Sequence, residues 1–326
     1  LVVALSPYSS VGYNLTTSNS IADGSNENTA TYNYNGSGGL NRFLFGLAWN
    51  ARNTTYSQLS IGLNFNYLFG SIERQTTIFS NKSSIYFIDK SDKIMHGLNP
   101  EFGILYSIFL EDFGNYRFNI GFRIQPKSII HSKINQMQAT YEGPTFSLNA
   151  DQTNILLEDL GMMVESDFPS SYGLGFSLQD KDKEKWLLGL DYRAISAYSA
   201  TASEHNLSPD IMRNYDQYVL GGFFIPNKSD IYNYLNRIQY RFGISYASGY
   251  LDIGSIIGEE SDKLHDISFS LGIALPMSKK FSIANIGLKY GIIGSDTQLN
   301  YIQENYFSLS ISMTLSEKWF NKRKIQ

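Results

Sequence analysis

The sequence lacks cysteine, long apolar runs and any large block of one charge. Without cysteine, the chain forms neither disulfides nor thiolate metal sites. No apolar run is longer than a few residues, which excludes a transmembrane helix of about 20 residues. The net charge is −4, and without a basic block the chain has no electrostatic footprint for binding nucleic acid.

Charged residues are also scarce, at 17% of the 326 residues, whereas soluble domains have about a quarter. Mean hydropathy is nevertheless slightly negative, at −0.22, because small polar residues and tyrosine replace the charged ones. Aromatic residues reach 14%, with 23 Tyr and 21 Phe. This composition is expected of strands with one face in lipid and the other in an aqueous lumen, because apolar and polar residues offset each other in the mean hydropathy.

The clearest strand pattern is the last stretch, from Tyr306 to Phe320. Phe307, Leu309, Ile311 and Met313 alternate with serine and threonine. Alternation at period two predicts a strand with one apolar and one polar face. The pattern fits lipid on one side and a lumen on the other.

The same alternation recurs along the chain and predicts about twelve strands. Leu59–Gly70 is a second clear example, with large apolar residues at every odd position from Leu59 to Phe69. Short connections alternate with longer polar ones, including predicted loops over Thr16–Asn28 and Asn81–Asp92. The segment Ile155–Glu165 is predicted to form a short amphipathic helix.

Short turns at one rim and long loops at the other are typical of bacterial outer-membrane barrels. The predicted fold is therefore all-β, an antiparallel transmembrane outer-membrane β-barrel with up-and-down meander topology. A soluble β-sandwich is the alternative, but it predicts shorter strands and no alternation of loop lengths. Tyrosine and tryptophan near strand ends are expected to form interfacial girdles; the predicted members are Tyr56, Tyr116, Trp186, Tyr246, Tyr250, Trp319 and Phe320.

Several stretches resemble FadL-type outer-membrane transporters as they occur in Bacteroidetes. They are Gly38–Phe43, Leu59–Gly70, Ser6–Tyr13 and the closing segments Glu304–Phe307 and Lys318–Lys324. The resemblance implies a 14-stranded monomeric barrel, plugged by an N-terminal hatch, that takes long-chain fatty acids or other hydrophobic molecules.

The resemblance sets the expected domain organisation. Residues 1–320 would form a single barrel domain, and residues 321–326 a basic periplasmic tail. The chain starts within a strand-like segment and shows no signal peptide, so Leu1 is interpreted as internal to a longer precursor. The hatch and the first two strands would then precede Leu1. The structure is expected to show either an open seam beside Tyr306–Leu315 or a twelve-stranded closure against Val2–Tyr8, and closure would count against a 14-stranded barrel.

Charged residues of both signs fall on the lumen-facing phase of the predicted strands. Phase alone places them inside, because an arginine or lysine on the lipid face costs about 2–4 kcal/mol at the midplane. They are Arg42, Glu101, Arg117, Arg123, Asp191, Arg193, Arg241, Asp266 and Lys289. Internal ion pairing is one interpretation. Recognition of a carboxylate head group is the other, with Arg117, Arg123 and Arg241 as the candidate ligand-binding residues.

Glycines recur on the same phase and suggest room for a plug or local strand bending. They are Gly62, Gly103, Gly121, Gly189, Gly243, Gly272 and Gly287. A lateral opening, as the resemblance implies, needs a kink, and Pro126 and the run Gly36–Gly39 are the candidate positions.

No motif predicts an enzyme, a cofactor or a metal site. The four histidines show no metal-binding spacing, and adjacent strand residues such as His131 and Ser132 point to opposite faces. The acidic run Gly258–Asp262 is interpreted as a solvated loop rather than a cation site.

Three functions remain open from sequence. The first is uptake of hydrophobic small molecules such as long-chain fatty acids, by binding and gating without covalent chemistry. The second is a non-transporting accessory or scaffold subunit of an outer-membrane secretion or protein-assembly complex, and the third is a polar porin. The expected partners are outer-membrane lipid, a hydrophobic small molecule, the barrel-assembly machinery during biogenesis and possible neighbouring outer-membrane proteins, with no nucleic acid.

Overall fold

A computed structural model describes residues 1–23, 26–110, 115–143, 153–180, 185–197, 213–249, 264–277, 283–294 and 303–314. The described chain is built from antiparallel strands and one 3₁₀ helix, Tyr234–Arg237. The strands are β1 Val2–Asp23, β2 Asn26–Asn53, β3 Ser57–Ser80, β4 Ile85–Leu110, β5 Tyr116–Gln125, β6 Ser128–Glu142, β7 Thr153–Phe168, β8 Ser171–Asp180, β9 Trp186–Ile195, β10 Tyr215–Phe224, β11 Gln239–Ala247, β12 His265–Pro276, β13 Ile283–Gly294 and β14 Gln303–Thr314. Within these ranges, no helix is long and apolar enough to cross a bilayer.

The fourteen strands form one sheet with twelve positions. Successive strands pair in a meander, except that β4 pairs with β5 along one half and with β6 along the other. Strand β8 pairs with β5, and β7 pairs with β6. Thus β5 and β6 are two pieces of one long strand, as are β7 and β8. When each broken strand is counted once, the prediction of about twelve strands is confirmed.

The sheet has an open seam among the described residues. Strand β1 pairs only with β2, and β14 pairs only with β13. The closure of Tyr306–Leu315 against Val2–Tyr8 is therefore not observed. The presence of fourteen positions in a longer protein stays a prediction.

The outer face of the sheet carries the large apolar residues that the alternation predicts. Leu190, Phe242, Ile244 and Leu271 are each 43–52% exposed, and their neighbours continue the same band around the wall. A soluble protein rarely exposes a contiguous apolar surface of this extent. The lipid-facing band of an outer-membrane barrel requires one.

Two rows of aromatic rings border this band. The upper row joins Tyr172, Tyr192, Tyr218 and Tyr246, with successive ring centroids 6.0, 4.9 and 6.3 Å apart. The lower row joins Tyr116 to Trp186 at 5.6 Å and continues through Phe224 and Tyr240, which are paired across strands. Of the predicted girdle, Tyr116, Trp186 and Tyr246 lie in these rows and Tyr56 lies in a turn; Tyr250, Trp319 and Phe320 lie outside the described residues.

The wall is far taller on one side than on the other. Strands β9 to β14 have 9–12 residues, close to the 9–11 that span a bilayer. Strands β1 to β4 have 22–28 residues. Their far halves, together with β6 and β7, continue beyond the membrane-spanning part as a second sheet region, called here the extension.

The extension corrects three predictions about loops and helices. Thr16–Asn28 is not a loop, because β1 runs to Asp23 and β2 begins at Asn26. Asn81–Asp92 is a loop only over residues 81–84. The strands of the extension contain many polar residues without clear alternation.

The third correction concerns Ile155–Glu165, which belongs to β7 and is not a helix. Its apolar residues follow no period of two because the pairing with β6 shifts register twice, at Ile134/Asn135 and at Gln138/Ala139. Gly161 also has a φ of +84°. These irregularities change which face each following side chain occupies.

A line of irregular backbone separates the extension from the membrane-spanning wall. Pro126 and Pro169 break neighbouring strands at facing positions, since Gln125 pairs with Ser171 and Ser128 with Phe168. We call this line the crease; it continues across other tall strands through the bulge between Pro7 and Ser9, the positive φ of Gly38 and Gly39, and Pro100. Proline removes a ladder hydrogen bond and bulges bend strands, so the sheet changes direction here.

Side chains replace the missing ladder at the crease. Asn66 Nδ2 donates to the Asn99 carbonyl oxygen at 3.1 Å, and Asn99 Nδ2 donates to Ser128 Oγ at 3.0 Å. Asn66 and Asn99 are 6% and 3% exposed. Three strands, β3, β4 and β6, are thereby joined where the backbone pairing between β4 and β6 has ended.

Replacing Asn99 with alanine should lower the free energy of unfolding by about 1–3 kcal/mol, since a buried hydrogen bond is lost and Ser128 loses its donor. Guanidinium unfolding of the liposome-inserted chain, followed by tryptophan fluorescence, measures the change. Asn14→Ala, at an exposed position of β1, is the control and should stay within about 0.5 kcal/mol. Equal effects of the two substitutions would contradict the bridging role of Asn99.

Candidate functional site

The inner face of the membrane-spanning wall encloses a cavity of about 540 Å³. Strands β2, β3, β4, β5, β8, β9 and β10 supply its lining. The polar lining residues are Ser60, Asn64, Glu101, Arg123, Asp191, Arg193 and Gln217, interspersed with five glycines and eight apolar or aromatic residues. Its volume falls within the range of small-molecule sites, about 300–1,000 Å³.

Arg123 is the candidate ligand-binding residue that lies in this cavity. Its Nη1 is 3.6 Å from Glu101 Oε2, with the two side chains 42% and 20% exposed. Asn64 Nδ2 donates to Glu101 Oε1 at 3.1 Å. The guanidinium is therefore paired with a carboxylate yet still open to the cavity.

The glycines of the inner wall make room for these side chains. A Cβ added to Gly173 would lie 3.8 Å from Arg123 Nε, and one added to Gly175 would strike Asp191 Oδ1. The long polar side chains of β5 and β9 thus lie flat over β8. At Gly62, Gly103 and Gly121, an added Cβ would meet nothing closer than 3.8 Å, so these glycines border open space in the lumen.

Arg117 belongs to a separate network nearer the short-turn end of β5. Its Nε donates to Asn119 Oδ1 at 2.9 Å and its Nη2 donates to Ser107 Oγ at 3.1 Å. The guanidinium carbon is 5.7 Å from the centroid of the Phe109 ring. Ser107 is 1% exposed, so this network has the character of a structural core.

The structure does not bring the three candidate arginines together. Arg117 and Arg123 are six residues apart on β5, about 20 Å along the strand. Arg241 is on β11, four pairings from β5, where its Nη2 donates to Gln239 Oε1 at 3.0 Å. Ligand binding by these residues stays a prediction, and Arg123 is the one placed to take part in it at the cavity.

The other inward charges are also held by neighbours where contacts are described. Arg42 Nη2 donates to Ser6 Oγ at 3.3 Å. Lys289 Nζ lies 5.1 Å from the centroid of the Tyr306 ring, whose hydroxyl donates to Asp266 Oδ1 at 3.1 Å. Such contacts favour the interpretation of an internally paired lumen.

Sequence reasoning missed an apolar cluster on the inner face at the crease. Leu40, Leu68, Met95 and Ile130 are each at most 8% exposed and pack with Ile72 and Phe168. Leu68, Met95 and Ile130 have apolar sequence neighbours that face the other way, so no local pattern marks the set. Only the pairing of β2, β3, β4 and β6 assembles it.

A ring contact shows how the sheet closes around this cluster. Tyr8, at the bulge in β1, has its ring centroid 5.9 Å from that of Phe168 in β7. Strands β1 and β7 are five pairings apart, about 24 Å along a flat sheet. The sheet therefore curls strongly at the crease, and the apolar cluster lies across the lumen at that level.

The histidines do not form a metal site in the described ranges. His96 and His131 stack across strands at 5.6 Å, and His131 Nδ1 lies 3.3 Å from Glu165 Oε1. No group of three metal-ligating side chains is found in the part of the chain that the structure describes. The acidic run Gly258–Asp262 lies outside that part.

The chain is similar to a known protein family and to a solved structure. A family model described as BamG matches residues 1–326. Among solved structures, the chain is similar to one titled "CymD monoaromatic hydrocarbon channel", with 11% sequence identity, a TM-score of 0.41, and coverage of 95% of this chain and 87% of that one. No curated protein matches the sequence.

Proposed function

Because this chain belongs to the BamG family, we propose that it is an accessory barrel subunit of an outer-membrane protein-assembly complex. The whole-chain family match is the observation that carries the proposal, since the family name points to the barrel-assembly machinery. The subunit resides in the outer membrane and acts by binding other proteins, without covalent chemistry. This was the second of the functions left open by the sequence.

The interior of the barrel supports a scaffold role. The apolar cluster of Leu40, Leu68, Met95 and Ile130 lies across the lumen at the crease. Below it, the charges of Glu101 and Arg123 face each other. A lumen filled in this way suits a barrel whose outer surfaces, including the extension, carry the contacts.

Uptake of hydrophobic small molecules, such as long-chain fatty acids, is the second candidate. The cavity beside Arg123 favours it, because one open guanidinium next to apolar wall can bind a carboxylate head group. In this alternative the cavity is an intermediate binding site on the transport path, and the molecule enters or leaves the barrel at the crease. A polar porin has no comparable support.

Co-purification distinguishes the two candidates. The chain is tagged on its own chromosome, extracted in mild detergent at natural abundance, and analysed for proteins and lipids by mass spectrometry. The accessory role predicts other outer-membrane proteins in fixed proportion to the barrel. Recovery of lipid-like molecules alone would overturn it and favour uptake.

A cavity-filling variant separates the same candidates within the cell. Gly103→Phe should fold normally, because an added Cβ has its nearest neighbour 3.9 Å away, and the ring would occupy the cavity. The accessory role predicts unchanged recovery of partner proteins and unchanged growth. Gly12→Phe, on a strand where an added Cβ meets nothing within 4 Å, is the control. Uptake as the main function predicts at least a tenfold loss of import of a radiolabelled fatty acid by Gly103→Phe alone.

A further inference from the structure

The connection between β10 and β11, residues 225–238, differs from the other described turn on its rim. The turn between β2 and β3 takes only residues 54–56, whereas residues 225–238 contain a 3₁₀ helix, Tyr234–Arg237. In bacterial outer-membrane barrels the rim with short turns faces the periplasm. This long connection therefore stands where a short turn is the rule.

Hydrogen bonds fix the shape of this connection. The Asp230 carboxylate accepts from the backbone N–H groups of Tyr232 and Asn233 at 2.9 Å each, and from Asn236 Nδ2 at 2.6 Å. These bonds hold the pKa of Asp230 below its usual value, so the carboxylate is charged at neutral pH. The Tyr234 hydroxyl also donates to the Pro276 carbonyl oxygen at 3.1 Å, which ties the connection to β12.

The tip of this ordered connection is apolar and projects into solvent. Ile231 is 80% exposed and Tyr232 is 94% exposed, and Leu235 is 60% exposed beside them. A mobile loop could fold such side chains away, but this one is held open by Asp230. Tyrosine and large aliphatic residues on a rigid support are typical anchors of protein interfaces.

The other side of the connection borders a cavity of about 450 Å³ at the mouth of the lumen. Arg237 brings a positive charge to it, and no carboxylate is among its described lining residues. The Arg237 guanidinium lies over the Tyr234 ring at 5.1 Å, and its buried Nε has no hydrogen-bond partner among the described residues. The cavity therefore offers donors and positive charge and needs an acceptor.

Because this cavity lies on the inner face of the barrel, its occupant is a protein segment rather than a lipid surface. Gln179, Phe223 and Gln239 line it from the inner faces of β8, β10 and β11. A bilayer surrounds the outer wall and does not reach inner-face residues. A polypeptide segment can enter from the periplasm and place a carboxylate against Arg237.

We propose that residues 225–238 and the cavity above them form a docking surface for a periplasmic protein, which packs on Ile231 and Tyr232 and inserts an acidic segment toward Arg237. This inference rests on the proposed function as a complex subunit, and it names the surface and the chemistry of the partner. Charge complementarity supplies the specificity, and the apolar tip supplies the buried area.

The first test uses a defined probe on the full chain in detergent. A fluorescent decapeptide of alternating glutamate and leucine is titrated against the chain and followed by anisotropy. We expect saturable binding that weakens at least tenfold in Arg237→Glu and at least threefold in Arg237→Gln. Tyr56→Ser, which alters an exposed aromatic residue in the turn at 54–56 on the same rim, should bind as the wild type does. Equal binding by Arg237→Glu and wild type would overturn the proposal.

The second test is made in the cell, with folding checked by heat-dependent electrophoretic mobility. Tyr232→p-benzoylphenylalanine should form a photocrosslink to a periplasmic protein, and adding Arg237→Glu should remove it. Crosslinks to lipid alone would assign the tip to the membrane surface and overturn the proposal. If partner proteins co-purify with wild type but none is captured from position 232, the docking surface is wrong while the accessory function stands. If no protein co-purifies at all, the accessory function itself fails.

Discussion

Replacing Leu220 with arginine should prevent most of the chain from assembling in the outer membrane. Leu220 lies on the outer face of β10, between the aromatic rows marked on that strand by Tyr218 and Phe224. An arginine at the bilayer midplane on the lipid face costs about 2–4 kcal/mol. This is a large fraction of the net stability of a folded chain. Heat-dependent electrophoretic mobility of the membrane fraction measures the folded amount.

Val219→Arg is the matched control, because it places the same residue one position away on the opposite face. Val219 pairs with Asp191 across β9 and β10 and lines the lumen cavity. An arginine there meets a carboxylate and water instead of lipid. Folded yield should remain within about a factor of two of wild type. Similar losses for both variants would contradict the assignment of inner and outer faces.

Gly39→Val should unfold the extension, with Gly38→Val having a similar effect. The φ angles are +153° at Gly39 and +109° at Gly38, where other residues are strained by about 1–3 kcal/mol. A Cβ on Gly39 would also strike the Ser9 carbonyl oxygen, and a Cβ on Gly38 the Ser71 carbonyl oxygen. Because the clashing atoms belong to the backbone of the neighbouring strand and cannot rotate away, we expect a total loss of at least about 3 kcal/mol. Limited trypsin digestion should then cut at Arg74, Lys90 and Lys93 in the extension.

Gly12→Val provides the comparison on β1, since a Cβ there meets nothing within 4 Å and its backbone carries no positive φ. Valine suits a strand, so trypsin resistance should match that of wild type. If Gly39→Val kept the extension resistant to trypsin, the bend at the crease would not depend on glycine.

The membrane-spanning wall was predictable because lipid imposes a simple rule on every strand that crosses it. Leu59–Gly70 and Tyr306–Leu315 each carry the period of two that one apolar face requires. The structure places Leu59–Gly70 and residues 306–314 in strands with those faces outward. The aromatic rows follow from the same constraint. A local pattern suffices wherever one environment acts on one face of each strand.

The extension and the crease depend on contacts between distant segments, and no local pattern reveals them. Thr16–Asn28 has the composition of a loop, yet β1 and β2 stay paired through it because each satisfies the backbone of the other. Leu40 and Ile130 are 90 residues apart in sequence and meet only through two intervening strands. Pro126 and the Gly36–Gly39 run were recognised as kink positions, but the facing break at Pro169 was not.

At the candidate site, phase analysis located the inward charges but not their grouping. Arg117, Arg123 and Arg241 all have the lumen-facing phase, and the structure divides them among three neighbourhoods. Which of them meets Glu101 depends on the stagger between β4 and β5. That stagger is set by pairing along whole strands, so the identity of the cavity residue required the fold.

Because the wall is taller on one side, the two sides of the molecule are distinguishable within the plane of the membrane. A barrel of even height presents a surface of the same height to neighbouring proteins on every side. Here the side of β1 to β4 rises beyond the bilayer, whereas the side of β9 to β14 ends near it. A neighbouring protein that touches the raised side must approach from one sector, and its own orientation about the membrane normal is fixed by the contact. The change in strand direction at the crease thus determines how a neighbouring protein can be oriented beside this one in the membrane.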